Sequence, residues 1–308
     1  MTKATLPAIR ALVGTLEATR GRRAIFFHSA VYGQAVPALY ECLRQTGRVD
    51  AIDLVLSTGG GTITSTRQIA MLLREFAGHL TILVPHRARS AGTLLCLSAN
   101  DLVLGPMAEL GPVDSTMDSD GVPAPDAPGT ISAQDIRAFR SMAEDWFGVD
   151  RPKDRLQVLG LLATRFFPTS LSSFYRFDKL VREVAAELLE WQLPGEEHAG
   201  RRDQIVDQLV SGYHSHDVVL SRRDVRALGL RAADATPEEE QTLWALSQAV
   251  RRPADTGDPH SGRAAAVIVS SDFSAAEVIR RAPGRGDESG DSDGRPPSVP
   301  EMHWEIFD

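Results

Sequence analysis

Ile52-Asp53-Leu54-Val55-Leu56-Ser57 runs directly into Thr58-Gly59-Gly60-Gly61, and Ser90-Ala91-Gly92-Thr93 follows about thirty residues later. The first stretch reads as a strand buried on both faces that ends in consecutive glycines. The second places a serine at a strand-to-helix junction, just before small residues and a new apolar run. A glycine turn leaves backbone N–H groups pointing outward. A serine hydroxyl held beside such donors can attack a carbonyl while they stabilise the oxyanion that forms. The residues therefore point to acyl-transfer chemistry, most simply peptide hydrolysis.

Around this pair the pattern alternates between strands and helices. Apolar residues at helical spacing predict helices over Leu6–Ala18, Ala35–Thr46, Ser65–Ala77 and Ser90–Ala99. Short apolar runs predict strands over Arg23–Phe27, Ala51–Leu56, Leu80–Val84 and Leu102–Leu104. Such alternation favours a parallel or mixed sheet covered by helices. Gly111-Pro112-Val113-Asp114 closes a further short strand, and Met117–Gly129, rich in Asp, Pro and Gly, reads as a loop. Helices are expected from Ser132 to Phe147, Leu156 to Phe167, Phe174 to Gln192, Arg202 to Ser211, a short one capped by Ser221, and Pro237 to Val250. The organisation expected is one domain over residues 1–250 with a helical insertion at about 130–220. Residues 251–308 then form a poorly structured tail with a strand at 264–269 and an acidic linker over Asp287–Asp293.

Composition narrows the function classes. The chain has 308 residues, a net charge of −8 and a pI near 5.5, which argues against a nucleic-acid surface. Lys3, Lys153 and Lys179 are its only lysines. Cys42 and Cys96 lie in apolar helical runs and are expected as buried free thiols. No apolar stretch approaches the length of a membrane span, and no secretory signal is readable, so a cytoplasmic location is expected.

Thr58-Gly59-Gly60-Gly61, Pro85-His86-Arg87-Ala88-Arg89-Ser90-Ala91-Gly92-Thr93 and Leu110-Gly111-Pro112-Val113-Asp114 occur in this order. Together they resemble the serine dehydrogenase proteinase family, within the Clp-fold peptidases that include Clp protease and signal peptide peptidase A. The resemblance covers Leu6 to Asp114 and extends more loosely through Ser221 to Leu230. It implies an α/β Clp/crotonase-like ββα superhelix, with Ser90 as nucleophile and an oxyanion hole from the N–H groups of Gly60 or Gly61 and of Ala91. It implies no metal or organic cofactor, a peptide or protein substrate, and a homo-oligomer built as a trimer or a multiple of it. One departure is local: Gly59 stands where the family commonly has proline.

The base is less direct. Clp protease carries a histidine in the strand equivalent to Glu109–Asp114, and here Asp114 is the nearest equivalent, better suited to orienting a partner than to deprotonating serine. Signal peptide peptidases use a lysine, which must be neutral to act and becomes so by burial. Lys153 lies in a charged turn, whereas Lys179 follows Phe174, Tyr175 and Phe177 on an apolar helix, so Lys179 is the expected base. The family lysine aligns alternatively with Arg137 or Arg140, which cannot serve as bases. His86 reads as a structural histidine before Ser90, and His214 and His216 as polar surface or, less directly, an alternative base. Glu238-Glu239-Glu240 reads as the acidic first turn of a helix. Ser90 itself has a plain reading as a helix N-cap, and Gly59–Gly61 as a simple turn or an anion site. The rival to a serine endopeptidase is a catalytically inactive Clp-fold scaffold that serves as an oligomeric binding module. A crotonase-type acyl-CoA enzyme is disfavoured by a serine at position 90.

Overall fold

A computed structural model describes residues 5–114, 116–118, 130–149, 151–165, 168–250, 266–280 and 301–307. The acidic stretch at 287–293 and most of the loop expected before Ser132 lie outside these residues. The first half of the chain runs α1 (Thr5–Arg20), β1 (Arg23–His28), α2 (Ala35–Thr46), β2 (Val49–Ser57), α3 (Ile63–Phe76), β3 (Ala77–Val84), β4 (Arg87–Ala88), α4 (Ala91–Cys96), β5 (Asp101–Leu104) and β6 (Glu109–Leu110). There follow β7 (Thr116–Asp118), β8 (Thr130–Ser132), α5 (Ala133–Phe147), α6 (Pro152–Arg165), α7 (Pro168–Leu189), α8 (Ala199–Ser211), α9 (Arg222–Ala227), β9 (Ala232–Asp234) and α10 (Pro237–Val250). The last strands are β10 (Val267–Val269), β11 (Ser274–Arg280) and β12 (Glu301–Phe307).

The main sheet has the order β12-β11-β10-β1-β2-β3-β5-β9. From β1 to β9 it is parallel, with Ile25 opposite Leu54 and Leu54 opposite Ile82. Strand alternation divides the core in two. Ile52, Leu54 and Leu56 face α2, α3, α4, α7 and α8, while Val55 packs with Phe26 and Leu83 beneath α1 and α10. Cover on both faces explains why β2 reads as one apolar run. Of its two aspartates, Asp53 is fully buried and bonded to Arg20, which also reaches Glu239. Glu239 is thus not simply an acidic first-turn residue: it joins α10 to α1 and β2.

The span read as a poorly structured tail contributes three antiparallel strands where it is described. Ile268 pairs with Phe27, β11 pairs with β10, and β12 pairs with β11. Arg10 fastens them to α1 by donating to Ser274 Oγ at 3.0 Å and to the Phe307 carbonyl at 3.4 Å. Ser-Ala-Ala-Glu at the start of β11 has too little apolar alternation to announce a strand; its neighbours supply the order.

Cys42 and Cys96 are buried free thiols, and burial pushes the Cys42 pKa up to about 12. Helices α5 and α6 and the start of α7 project apolar side chains into solvent, among them Trp146, Phe147, Leu156, Leu161 and Tyr175. Among the described residues no helix is long and apolar enough to cross a membrane.

Candidate active site

The site is built where β2 leaves the main sheet. Thr58 continues the strand line but pairs with β4 instead, donating its N–H to Arg87 O at 2.8 Å and accepting Arg89 N–H at 3.3 Å. Strand β4 in turn pairs in parallel with β6, which makes a small second sheet beside the first. A two-residue strand of Arg and Ala leaves no periodic trace in sequence, so β4 was not legible.

The glycine turn is fixed from two sides. The Thr58 hydroxyl accepts the Gly60 N–H at 3.1 Å, and the Gly60 carbonyl accepts the Val31 N–H at 2.8 Å. The Val31 carbonyl then accepts the Thr62 N–H at 2.9 Å, and Thr62 caps α3. Gly60 has φ 131°, a conformation that side chains disfavour. Gly61 lies so close to Val31 that a Cβ would stand 2.1 Å from its carbonyl oxygen. Of the three amides expected to hold an oxyanion, the Gly60 N–H is already bonded to Thr58. The Gly61 and Ala91 amides take no hydrogen bond among the described residues.

Ser90 sits at the sharp turn between β4 and α4 with φ 52° and ψ −114°. Among the described residues no other non-glycine has a positive φ. Backbone held in so sparsely populated a region costs on the order of 1–3 kcal/mol, and surrounding structure must enforce it. Here the enforcement is visible. Gly92 N–H donates to Arg89 O at 2.8 Å, and Thr93, fully buried, donates its hydroxyl to Ala88 O at 2.9 Å. The same hydroxyl accepts Gly111 N–H at 3.0 Å, which ties the start of α4 to the Gly111–Asp114 turn. A side chain at Gly92 would meet Thr58 Cγ2 at 2.4 Å, so glycine lets α4 pack on Thr58.

This geometry excludes the N-cap reading of Ser90. Capping needs an extended backbone and a side chain turned onto the first helical turn; Ser90 has neither, and its side chain makes no capping bond. Instead it faces the glycine turn: a Cβ on Gly60 would lie 3.2 Å from Ser90 Cβ and 3.7 Å from its Oγ. Gly60 and Ser90, far apart in sequence, are thus adjacent.

The candidate bases are placed less favourably. Lys179 is exposed on α7, with Nζ 5.7 Å from the centre of the Tyr175 ring, itself exposed. The desolvated setting expected for it does not hold: the aromatic run buries Phe174 and packs Phe177, in part, on the core but leaves Tyr175 and Lys179 exposed. Lys153 is exposed at the start of α6. Arg137 is engaged with Asp178, Gln134 and Val210 O, and Arg140 with Glu144. His214 and His216 are exposed on the turn after α8. That turn leads to Val218, whose carbonyl would stand 3.5 Å from a Cβ on Gly111. His86 is half-buried just before β4, and its carbonyl accepts Glu109 N–H at 2.6 Å. Asp114 is half-buried beyond Val113, whose N–H donates to Leu209 O at 3.0 Å. Close by, Arg89 pairs with Glu109 at 3.0 Å.

Two residues beside the glycine turn carry no sequence signal. Thr58 looked like the residue before a turn, yet its hydroxyl orders that turn. His28, at the end of β1, shares a 3.0 Å hydrogen bond with Ser57. Burial, aided by Arg87, holds its pKa down to about 4. No short motif marks it; only the parallel register of β1 and β2 brings it to Ser57.

The chain is similar to several known proteins. An uncharacterized protein of Methanocaldococcus jannaschii, MJ0137, is 27% identical over 215 residues, covering 70% of this chain and 65% of its own length. A second from the same organism, MJ1495, is 26% identical over 208 residues, covering 68% and 61% respectively. The chain thus spans less than two thirds of either relative. Solved structures with a similar chain path include a mutant of the membrane-bound stomatin-specific protease 1510-N in complex with a substrate peptide (TM-score 0.41, 13% identity, 70% of this chain and 75% of that one). Another is a ClpP1 mutant from Listeria monocytogenes (TM-score 0.36, 12% identity, 77% and 99%). Over residues 35–135, the span that holds the glycine turn, Ser90 and the Gly111–Asp114 turn, the chain matches the model of the ClpP-like SDH-type serine proteinases.

Proposed function

We propose that the protein is a serine endopeptidase in which Ser90 is the nucleophile and the Gly61 and Ala91 N–H groups hold the oxyanion. The observation that carries this reading is the positive φ of Ser90 at a strand-to-helix turn whose neighbour across space is Gly60. A strained turn that presents a serine hydroxyl beside uncommitted amides is the arrangement acyl transfer needs. Ser90 Oγ would bond to the scissile carbonyl carbon, and its proton would pass to a base. The carbonyl oxygen would carry the negative charge toward the two amides. Collapse of that intermediate would release the amine with a proton and leave an ester on Ser90, which water then cleaves. Lys179, exposed and lying over Tyr175, is not assigned as the proton acceptor.

The exposed Trp146, Phe147, Leu156 and Leu161 on α5 and α6 support a homo-oligomer, since exposed large apolar side chains are better covered by another copy. Sedimentation equilibrium at micromolar concentration is expected to give a trimer or a multiple of it.

The second reading, a scaffold without catalysis, is favoured by the solvated setting of Lys179. A fluorophosphonate probe separates the two. The wild type should be labelled and should cleave an unfolded protein substrate, and Ser90→Ala should do neither while melting within about 1 kcal/mol of wild type. A wild type that takes up no probe leaves the scaffold reading standing.

A further inference from the structure

We propose that Thr58 is the positioning residue that decides which amides of the glycine turn face the Ser90 hydroxyl; the assignment rests on the peptidase reading above. Thr58 is buried and uses every part of itself at the site. Its main chain pairs with Arg87 and Arg89 on β4, the strand that leads into Ser90. Its hydroxyl binds Gly60 twice over, accepting the N–H at 3.1 Å and approaching the carbonyl at 3.3 Å. Its methyl group fills the space above Gly92, where a Cβ would stand only 2.4 Å away.

One side chain therefore touches the glycine turn with its oxygen and the nucleophile's helix with its carbon. Two consequences follow. The Gly60 N–H is turned inward and committed, so it is not a donor to substrate. The next peptide is held by Val31 on its far side, which leaves the Gly61 N–H as the donor the turn can offer. Without the hydroxyl, the Gly60 amide would lose its partner and the turn would be free to rotate either amide toward Ser90. Removal of a single oxyanion donor costs about 10²–10³ in rate; a donor left in place but no longer held should cost less.

The test is a pair of substitutions that divide the side chain. Thr58→Val keeps the shape and removes the oxygen, whereas Thr58→Ser keeps the oxygen and removes the methyl group. Thr58→Val is expected to lower fluorophosphonate labelling and kcat by about tenfold or more with KM little changed, because the donors matter most at the oxyanion stage. Thr58→Ser is expected to recover most of that loss. Amide hydrogen exchange at Gly60 should accelerate in Thr58→Val and not in Thr58→Ser, a readout independent of catalysis. A labelled wild type whose Val variant labels at the same rate, or keeps Gly60 protected, overturns the role given to Thr58 alone. A wild type without labelling overturns the peptidase reading, and the role of Thr58 falls with it.

Discussion

The carbonyl oxygen of Val31 occupies the space into which a side chain on Gly61 would project, 2.1 Å from the position of its Cβ. The contact is with main chain, so no rotamer change can relieve it. Gly61→Ala must push the Val31 peptide away and break the bonds that Val31 makes to Gly60 and Thr62. The expected result is destabilisation of roughly 1–3 kcal/mol, in the range of overpacked interiors. Probe labelling should also be lost, because the displaced peptide carries the Gly61 amide. Denaturant midpoints and labelling rates measured together check this, and an alanine variant unchanged in both would disprove the clamp.

Gly59, two positions earlier, is the opposite case. It is exposed, a Cβ there meets nothing within 4 Å, and its φ lies outside the left-handed region. Its N–H takes no hydrogen bond among the described residues. Thr58 is already extended by its bridge to Ala88, the conformation proline requires of the residue before it. Gly59→Pro is therefore expected to stabilise the fold by about 0.4–1 kcal/mol through the unfolded chain, with labelling unchanged. Calorimetry showing a lowered melting temperature would contradict it.

These two glycines also mark how far sequence reading reaches. The strand, the glycine turn and Ser90 were legible because a buried parallel strand is continuously apolar and a turn advertises its glycines. Helix α10 was placed at Pro237–Val250, its observed bounds, by its proline and acidic first turn. Contacts that depend on register were not legible. Nothing in Asp53 or Glu239 alone says that Arg20 will join them, and nothing in Thr58 says that its hydroxyl will turn back onto Gly60. Lys179 misled for a related reason: Phe174, Tyr175 and Phe177 suggest burial, but α7 turns Tyr175 and Lys179 to the outer side.

His28 provides a pH-dependent term. Burial, with Arg87 adding to it, lowers the folded-state pKa to about 4, against an unfolded value near 6.5. Above the unfolded value neither state binds a proton at this site, and the stabilising effect is fully present. As pH falls from about 6.5 to about 4, the unfolded chain takes up a proton that the folded chain does not, so stability declines. The decline should be on the order of 1–3 kcal/mol. In His28→Asn the fall between pH 7 and pH 4.5 should be smaller than in wild type by about that amount. Urea midpoints at the two pH values measure it, and equal falls in both proteins would remove His28 from the acid response.

Lys179 gives the sharpest test of the proton path. A lysine acts as a base only when its environment keeps it neutral, and burial is the usual means. Lys179 is exposed, and its amine rests over the exposed Tyr175 ring, a contact worth about 0.5–1 kcal/mol at such sites. Lys179→Met keeps most of the apolar stem and removes the amine, so the fold should hold. Hydrolysis is expected within about twofold of wild type, since none of the 10²–10⁴-fold contribution of a general base is at stake. The pH–rate profiles of the two proteins should then superimpose, including the alkaline limb. A folded Met variant without activity would restore Lys179 as the base, and it would require α7 to bury that amine in the active assembly. A variant that loses only the alkaline rise would place the amine near Ser90 without making it the sole acceptor, and superposition of the profiles would be refuted all the same.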